Sequence, residues 1–247
     1  MLVSHSLSYR LFRFLLSVFF ALSLTGCRVA TQPQRPLSET ASPTATAAEH
    51  QATPDAINRP TSKPYTGDLS VFEDPKRDQN LQVNRVMDIL GIKEGSNVAD
   101  IGAGSGWFTV RAARRVEPSG VVYALEINPD YLKYIQTRAE REKLSNIKTI
   151  LGQEDDPRLP SRSVDAVLLL KTYHELAQPI RLLKRTRDAM RSGALLGIID
   201  REGKGDDHGI DKEIVIKEAG RAGFTLVEEY DFVKADNVDY FLVFRAN

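Results

Sequence analysis

The residues best suited to chemistry in this chain surround a turn with alternating glycines at Gly102, Gly104 and Gly106. An apolar run over 98–101 leads into the turn and carries the acidic Asp100. Glycine has no Cβ atom, so the backbone of such a turn can lie directly against a ligand. A helix that begins at the next residue points its free N–H groups at the same place. The pattern predicts a site for a nucleotide-type cofactor.

A carboxylate in the next apolar run narrows the kind of cofactor. Glu126 ends the β-rich run over 121–126, where a carboxylate can accept hydrogen bonds from the hydroxyls of a ribose. A dinucleotide is disfavoured because its Gly-x-Gly-x-x-Gly pattern needs a small residue where this chain has Trp107. Asp100 also suits a cationic ligand better than a pyrophosphate, which it would repel. A nicotinamide oxidoreductase is therefore a disfavoured interpretation.

Apolar runs alternate with helical patterns over the second part of the chain, and these elements must position the turn. We predict strands over 98–101, 121–126, 147–151, 164–170, 194–199, 225–233 and 240–244, and helices over 82–90, 107–116, 128–143, 179–191 and 212–222. Strands that alternate with helices imply right-handed crossovers and a mainly parallel sheet. The last two strands lie close together in sequence and predict an antiparallel C-terminal hairpin. The predicted fold class is α/β, with a doubly wound, seven-stranded sheet.

The motifs resemble those of a known family. The segment Asp100-Ile101-Gly102-Ala103-Gly104-Ser105-Gly106, with Ala124-Leu125-Glu126, is similar to the first two motifs of class I S-adenosylmethionine-dependent methyltransferases. Among them, it looks most like small-molecule enzymes of the ubiquinone/menaquinone C-methyltransferase group. The resemblance covers about residues 80–247 and implies a Rossmann-like sheet with S-adenosylmethionine as the cofactor. It implies that Gly102 and Gly104 line the methionine and ribose part, and that Glu126 binds the ribose.

The same resemblance implies an acidic contact to the adenine amino group in the loop after the third strand. Glu154, Asp155 and Asp156 are all placed to make it, and the sequence does not separate them. A solvated loop is an equally good interpretation of any single one of them.

The loop after the fourth strand, over 171–176, should face the methyl donor. Methyl transfer is an in-line displacement, so an enzyme mainly aligns the two reactants and excludes water. His174 is the best general base by its intrinsic pKa, with Tyr173 or Lys171 as orienting groups, although His174 is equally well placed to cap the next helix. His208 follows the fifth strand on the same edge of the sheet. No ligand spacing supports a metal site here, so no metal is expected.

The N-terminus has the features of a bacterial secretory signal over residues 1–26. Arg10 and Arg13 precede an apolar run over 14–24, as in a signal peptide. The run ends in Leu24-Thr25-Gly26-Cys27, which resembles the lipobox of bacterial lipoproteins, and Cys27 is the only cysteine of the chain. Lipidation of Cys27 would tether the protein to a membrane.

The residues after this cysteine predict where the protein goes. Arg28, rather than Asp, follows Cys27, and by the bacterial sorting rule this favours the periplasmic side of the outer membrane. The stretch over 27–64 is rich in Pro, Thr and Ala, and we predict a disordered linker there. The methyltransferase-like domain is then expected over 65–247.

Composition and compartment leave two functions in competition. Lys and Arg number 33 and Asp and Glu number 33, so the basic excess typical of nucleic-acid binding is missing. The domain carries no large insertion for a macromolecular substrate, which favours a small-molecule acceptor. The first function is methyl transfer to a small or medium-sized acceptor. The alternative is a non-catalytic binding or sensory module, because S-adenosylmethionine is made in the cytosol and an exported protein would not ordinarily meet it.

Overall fold

The computed structural model describes residues 55–63, 65–204, 208–233 and 238–247. The predicted signal peptide, Cys27 and most of the predicted linker lie outside these residues. Among the described helices, none has the length and apolar character needed to cross a membrane.

The described residues form helices and strands in alternation. The helices are α1 (Arg77–Leu81), α2 (Val83–Ile89), α3 (Trp107–Val116), α4 (Pro129–Glu142), α5 (Pro179–Ala189) and α6 (Lys212–Arg221). The strands are β1 (Val98–Ile101), β2 (Val122–Glu126), β3 (Ile147–Leu151), β4 (Val164–Leu170), β5 (Met190–Arg201), β6 (Phe224–Tyr230) and β7 (Asp239–Ala246). Short 3₁₀ turns occupy Leu69–Phe72 and Tyr173–Glu175.

The strands form one sheet in the order β3-β2-β1-β4-β5-β7-β6. The pairs from β3 to β5 are parallel, and β7 pairs antiparallel with both β5 and β6. The predicted fold class is therefore confirmed. The strand order reverses at β1 and β4, and ligands of doubly wound sheets bind outside the carboxyl ends of the strands at such a point.

Burial explains why β7 lies inside the sheet and β6 at its edge. Residues 239–244 of β7 are all buried, so this strand needs cover on both faces. β6 carries Glu228 and Glu229, which are exposed, and charged side chains are typical of an edge strand. The last strand of the chain consequently inserts between its two neighbours.

The core lies on both faces of the sheet. Leu168 and Leu170 pack with α2 and α3, whereas Val167 and Leu169 pack with α5 and α6. This alternation follows from the two-residue repeat of a strand.

Several boundaries follow the predicted signals, and one does not. The Asn128 side chain accepts a hydrogen bond from the Asp130 N–H at 2.9 Å, and Pro129 is the first residue of α4, as predicted. The predicted linker ends earlier than residue 64, because Ile57 packs against the core and the Arg59 N–H donates to the Ala177 carbonyl at 3.2 Å. Residues 55–63 are thus part of the domain.

Candidate functional site

The glycine turn between β1 and α3 has open space beside one of its three glycines. Gly102, Gly104 and Gly106 have φ angles of 72°, 57° and 74°, a region that residues with side chains rarely adopt. A Cβ atom at Gly102 would lie 2.2 Å from Thr172 Cγ2, and one at Gly106 would lie 3.1 Å from Ile135 Cγ1. A Cβ atom at Gly104 would meet no atom of the described chain within 4 Å. The turn therefore presents bare backbone to a ligand at Gly104.

Two carboxylates flank this open backbone. Glu126 Oε1 accepts a hydrogen bond from the Gly104 N–H at 2.6 Å, and Asp100 Oδ2 accepts one from the Thr109 hydroxyl at 2.6 Å. Burial raises the pKa of Asp100 to about 6 and the pKa of Glu126 to about 7. The charge of Asp100 further raises the pKa of Glu126. Such a pair favours a ligand that brings positive charge and hydrogen-bond donors.

Two exposed apolar side chains lie beside Glu126, and sequence reasoning missed both. Ile127 follows Glu126 directly and is 51% exposed. Leu151 pairs with Glu126 in the β2–β3 register and is 43% exposed. Large aliphatic side chains at the open edge of a sheet offer a surface for a flat apolar group such as a nucleobase.

The segment before α2 covers the turn from the N-terminal side. The Ser105 hydroxyl donates to Glu73 Oε1 at 2.5 Å, and Glu73 also forms an ion pair with Arg138. The Arg77 guanidinium lies 4.5 Å from the centre of the Trp107 ring, which is buried in the core. Burial lowers the pKa of Arg77, and the charge of Asp100 opposes this effect. The positive charge of Arg77 therefore lowers the pKa of Asp100, as the charge of a cationic ligand would.

The loop after β4 brings a histidine to the same edge of the sheet. The Thr172 hydroxyl donates to the Gly102 carbonyl at 3.2 Å, which joins this loop to the glycine turn. Two residues later, His174 Nδ1 lies 2.9 Å from Asp200 Oδ1, and the His174 N–H donates to Asp200 Oδ2 at 3.1 Å. Asp200 is fully buried near the end of β5. A carboxylate at Nδ1 favours the tautomer with its proton there, which leaves the Nε2 lone pair available.

Two further polar side chains lie next to His174. Glu175 Oε1 is 3.6 Å from His174 Nε2 and 3.4 Å from His208 Nδ1. The other carboxylate oxygen, Oε2, accepts a hydrogen bond from the Ser62 N–H at 2.7 Å. Residues from three distant parts of the chain therefore converge at this point.

Comparison with known proteins identifies the domain. Residues 98–193, which include the glycine turn, Glu126 and His174, match a family model described as a methyltransferase domain. This part of the chain therefore has the sequence of a methyltransferase domain. S-adenosylmethionine is the cofactor that this family and fold imply.

Curated relatives and a solved structure agree with this assignment. A protein-L-isoaspartate O-methyltransferase from Pyrococcus horikoshii is 30% identical over 95 residues, which are 38% of this chain and 42% of that protein. A demethylmenaquinone methyltransferase from Listeria welshimeri is 23% identical over 114 residues, covering 46% and 48% of the two chains. The chain thus spans less than half the length of these relatives. The crystal structure of a SAM-dependent methyltransferase from Aquifex aeolicus has the same fold, with a TM-score of 0.65, 23% identity, and coverage of 71% of this chain and 95% of that chain.

The cofactor-binding edge of the methyltransferase domain fits S-adenosylmethionine. A Cβ atom at Gly104 would project into open space beside the turn, so glycine leaves the backbone there accessible to a ligand. Asp100 would offer negative charge to the methionine part, Glu126 would accept hydrogen bonds from the ribose, and Ile127 would offer an apolar surface to the adenine.

Two of the three acidic residues in the loop after β3 contact other residues of the protein. Asp155 Oδ2 lies 3.8 Å from an Arg181 nitrogen, and Asp156 Oδ1 accepts a hydrogen bond from the Arg158 N–H at 2.7 Å. Glu154 is exposed. The adenine contact expected from Glu154 or Asp155 stays a prediction.

The structure places the side chain of Tyr173 in the core, against Glu218. Its side chain is fully buried, and its hydroxyl donates to Glu218 Oε2 at 2.9 Å. Burial, together with the nearby Glu218 carboxylate, raises the pKa of Tyr173 well above its usual value. The Lys171 side chain forms an ion pair with Asp239 of β7. The residue that orients His174 is instead Asp200, whose signal is an acidic residue at the end of an apolar strand, as at Asp100.

Proposed function

We propose that this chain transfers the methyl group of S-adenosylmethionine to a small or medium-sized acceptor. The observation that carries the proposal is the His174–Asp200 pair, which lies on the same sheet edge as the glycine turn and is joined to it through Thr172. A module that only binds the cofactor needs no histidine held in this way, so the pair supports turnover over the binding or sensory alternative.

The residues of the glycine turn would hold the cofactor. When bound, S-adenosylmethionine supplies a methyl group on a sulfonium. Glu126 accepts hydrogen bonds from the ribose hydroxyls, and Gly104 leaves room for the ligand beside its backbone. Asp100 favours the positive charge of the methionine part. Ile127 and Leu151 cover the adenine and exclude water from it.

His174 would move the proton of the acceptor. Asp200 accepts a hydrogen bond from the His174 Nδ1–H, with 2.9 Å between Nδ1 and Oδ1, and this fixes the ring. Nε2 can then take a proton from an acceptor hydroxyl or amine as the methyl group arrives. The His174 side chain is 9% exposed, which limits access to a small group that enters from the side of His208.

A small acceptor is supported by one relative and by the lack of a large insertion between the described strands and helices. The Listeria relative is named a demethylmenaquinone methyltransferase, which matches the group that the sequence motifs resemble. The Pyrococcus relative is named for a protein substrate, so the two relatives differ in acceptor class.

Calorimetry on the full chain tests cofactor binding. We expect heat of binding with S-adenosylmethionine and with S-adenosylhomocysteine, and its absence on folded protein at millimolar ligand would reject the proposal. Glu126→Ala should weaken binding by about 1–3 kcal/mol, because the ribose hydroxyls lose a charged partner. The matched control is Glu228→Ala, on the exposed edge strand, which should leave affinity unchanged.

The pH dependence gives a second test of the same site. The free protein must carry Glu126 as a carboxylate to accept both hydroxyl hydrogens, and its pKa is raised to about 7. Affinity should therefore fall as the pH decreases from about 8 to 6, and Glu126→Gln should remove most of this decrease. An affinity independent of pH in this window would contradict the role of Glu126.

Formation of S-adenosylhomocysteine separates turnover from binding alone. We expect product with small acceptors that carry a hydroxyl or an amine, and a loss of at least tenfold in rate for His174→Ala with cofactor affinity retained. Binding without product over a panel that includes quinols, phenols and amines would favour the sensory module.

We further propose that the protein is exported and lipid-anchored at Cys27, on the periplasmic side of the outer membrane. The support is the basic and apolar N-terminal sequence with its lipobox. Metabolic labelling with a palmitate analogue should mark the wild-type chain, and label that persists in Cys27→Ser would refute the anchor.

A further inference from the structure

Three potential ligand atoms from two loops meet beside the proposed acceptor position. His174, Glu175 and His208 each offer one ligand atom, and these three atoms lie within 4.8 Å of one another. Glu175 Oε1 is 3.6 Å from His174 Nε2 and 3.4 Å from His208 Nδ1. Ligand atoms about 2.0–2.1 Å from a zinc ion in a tetrahedron are roughly 3.3–3.4 Å apart. The two observed separations are therefore close to those of a coordinated set.

The orientation of two of these ligands is already fixed by other groups. Asp200 lies at Nδ1 of His174, 2.9 Å away, so the opposite nitrogen faces the cluster. The Ser62 N–H holds Oε2 of Glu175 at 2.7 Å, so Oε1 faces the cluster. Carboxylate partners of ligating histidines and hydrogen bonds to ligating carboxylates are the usual supports of a metal centre. A chance cluster of surface side chains has no need of both.

Burial differs across the cluster in a way that suits an ion with open positions. The His174 side chain is 9% exposed, the Glu175 side chain 31% and the His208 side chain 70%. The buried side is closed by Asp200, and the exposed side gives an ion a path of entry. With three protein ligands, a fourth position stays available for a small molecule.

We propose that His174, Glu175 and His208 form a binding site for a divalent transition-metal ion. Two imidazoles and one carboxylate suit Zn²⁺ or Fe²⁺, whereas Mg²⁺ and Ca²⁺ prefer sites made of oxygen atoms. Asp200 and the Ser62 backbone act as positioning groups. The absence of metal-ligand spacing in the sequence does not argue against the site, because the histidines belong to different loops.

The location indicates what such an ion would do, and this step rests on the proposed methyl transfer. Thr172, two residues before His174, contacts the glycine turn, so the ion would face the acceptor rather than the adenosine. An acceptor hydroxyl that takes the open position would lose its proton more readily because of the charge of the ion. In that state His174 serves as a ligand rather than as the base, and the proton released by the coordinated hydroxyl passes to solvent water at the exposed side of the cluster. The acceptor class is then a small molecule with an oxygen donor able to coordinate a metal.

Metal binding can be measured without cofactor or acceptor. The full chain is stripped with a chelator and titrated with Zn²⁺ against a chromophoric competitor. We expect one ion per chain with a Kd below about 1 μM. His208→Ala removes an exposed ligand without disturbing the core, and should weaken binding at least tenfold. The matched control is His50→Ala, which removes a histidine outside the described residues and should change nothing.

A second variant distinguishes a metal site whose ligands are held in place by other groups from two histidines that are close by chance. Asp200→Asn should weaken zinc binding about 10–100-fold, the range known for outer partners of metal ligands, with circular dichroism confirming that the variant folds. Absence of one-to-one binding, or equal weakening by His208→Ala and His50→Ala, would overturn the proposal. Calorimetry with S-adenosylmethionine on the stripped protein keeps the two proposals apart. Cofactor binding without a zinc site rejects only the metal, and a zinc site without cofactor binding rejects only the methyl transfer.

Discussion

The two halves of the site are assembled in different ways. The cofactor half comes from one contiguous stretch, in which β1, the glycine turn, α3 and β2 follow each other between residues 98 and 126. The acceptor half combines Ser62, His174, Asp200 and His208, which meet only because the sheet brings the ends of β4 and β5 together. A strand, a turn and a helix position the first half locally, whereas the second half depends on long-range packing.

The two halves of the site are also covered by different N-terminal segments. Residues 55–63 support only the acceptor half, through Arg59 beneath Tyr173 and Ser62 at Glu175. The segment with Glu73 and Arg77 covers only the cofactor half. Variants in the two covering segments should therefore act on different ligands.

Breaking the Arg59–Glu218 pair should have the largest effect on stability. Two Arg59 nitrogen–oxygen distances to Glu218 are 2.6 Å and 2.8 Å, and Glu218 is 6% exposed. Arg59→Ala leaves this carboxylate buried beside the Tyr173 hydroxyl, so we expect a loss of about 3 kcal/mol in the free energy of unfolding. Urea unfolding measures it.

The matched control is an exposed ion pair between the same covering segment and α5. Lys184 pairs with Asp55 at 2.6 Å, with side chains 39% and 30% exposed. Lys184→Ala should cost less than about 1 kcal/mol, because exposed pairs contribute little. Cofactor affinity should survive in folded Arg59→Ala. Equal losses in the two variants, or loss of cofactor binding in Arg59→Ala, would show that the two halves are not separate.

The same contrast explains what the sequence could predict. The fold and the cofactor half follow from local signals: strand periodicity, the glycines, the Asn128-Pro129 cap and the acidic ends of strands. Asp200 ends an apolar strand as Asp100 does, but nothing local pairs it with His174. The Ser62 contact was hidden because a Pro-, Thr- and Ala-rich composition predicts disorder, and an aromatic such as Tyr173 beside His174 gives no local indication that its side chain turns into the core.

Asp100 tests whether a charge placed for cofactor binding destabilises the protein without its cofactor. Its folded pKa of about 6 lies above the unfolded value, so the folded chain binds more protons between about pH 4 and 6 and loses stability as the pH rises through this window. Asp100→Asn carries no charge and avoids this loss. At pH 8 without cofactor, we expect the variant to be more stable by about 2 kcal/mol, with no advantage at pH 4.

The comparison variant for this test is Asp130→Asn, whose side chain is 77% exposed. Its stability relative to the wild type should hardly depend on pH. A destabilised Asp100→Asn at pH 8 would mean that the charge of Asp100 is already well compensated in the free protein.

Gly104 and Gly193 separate backbone strain from ligand contact. Both have positive φ angles, 57° and 81°, and at both a Cβ atom would meet no described atom within 4 Å. Alanine should cost each about 1 kcal/mol in stability, because of the left-handed backbone. Only Gly104→Ala should also weaken S-adenosylmethionine binding, by at least about tenfold or 1.4 kcal/mol. Similar affinities in the two variants would place the cofactor elsewhere.

Arg77 gives the smallest expected effect and the sharpest test of the covering segment. Its guanidinium lies over the Trp107 ring, and its charge lowers the pKa of Asp100. Arg77→Gln should cost less than about 1 kcal/mol in stability, because loss of the cation–π contact is partly offset by removal of a half-buried charge. Arg85→Gln, which removes a similar contact 4.0 Å from the Phe232 ring centre, should cost a comparable amount. Only Arg77→Gln should raise the pKa of Asp100, as followed by NMR of its side-chain carboxyl carbon. An unchanged titration would mean that this segment covers the turn without acting on its charge, and that the cofactor half is set by its own strand and turn alone.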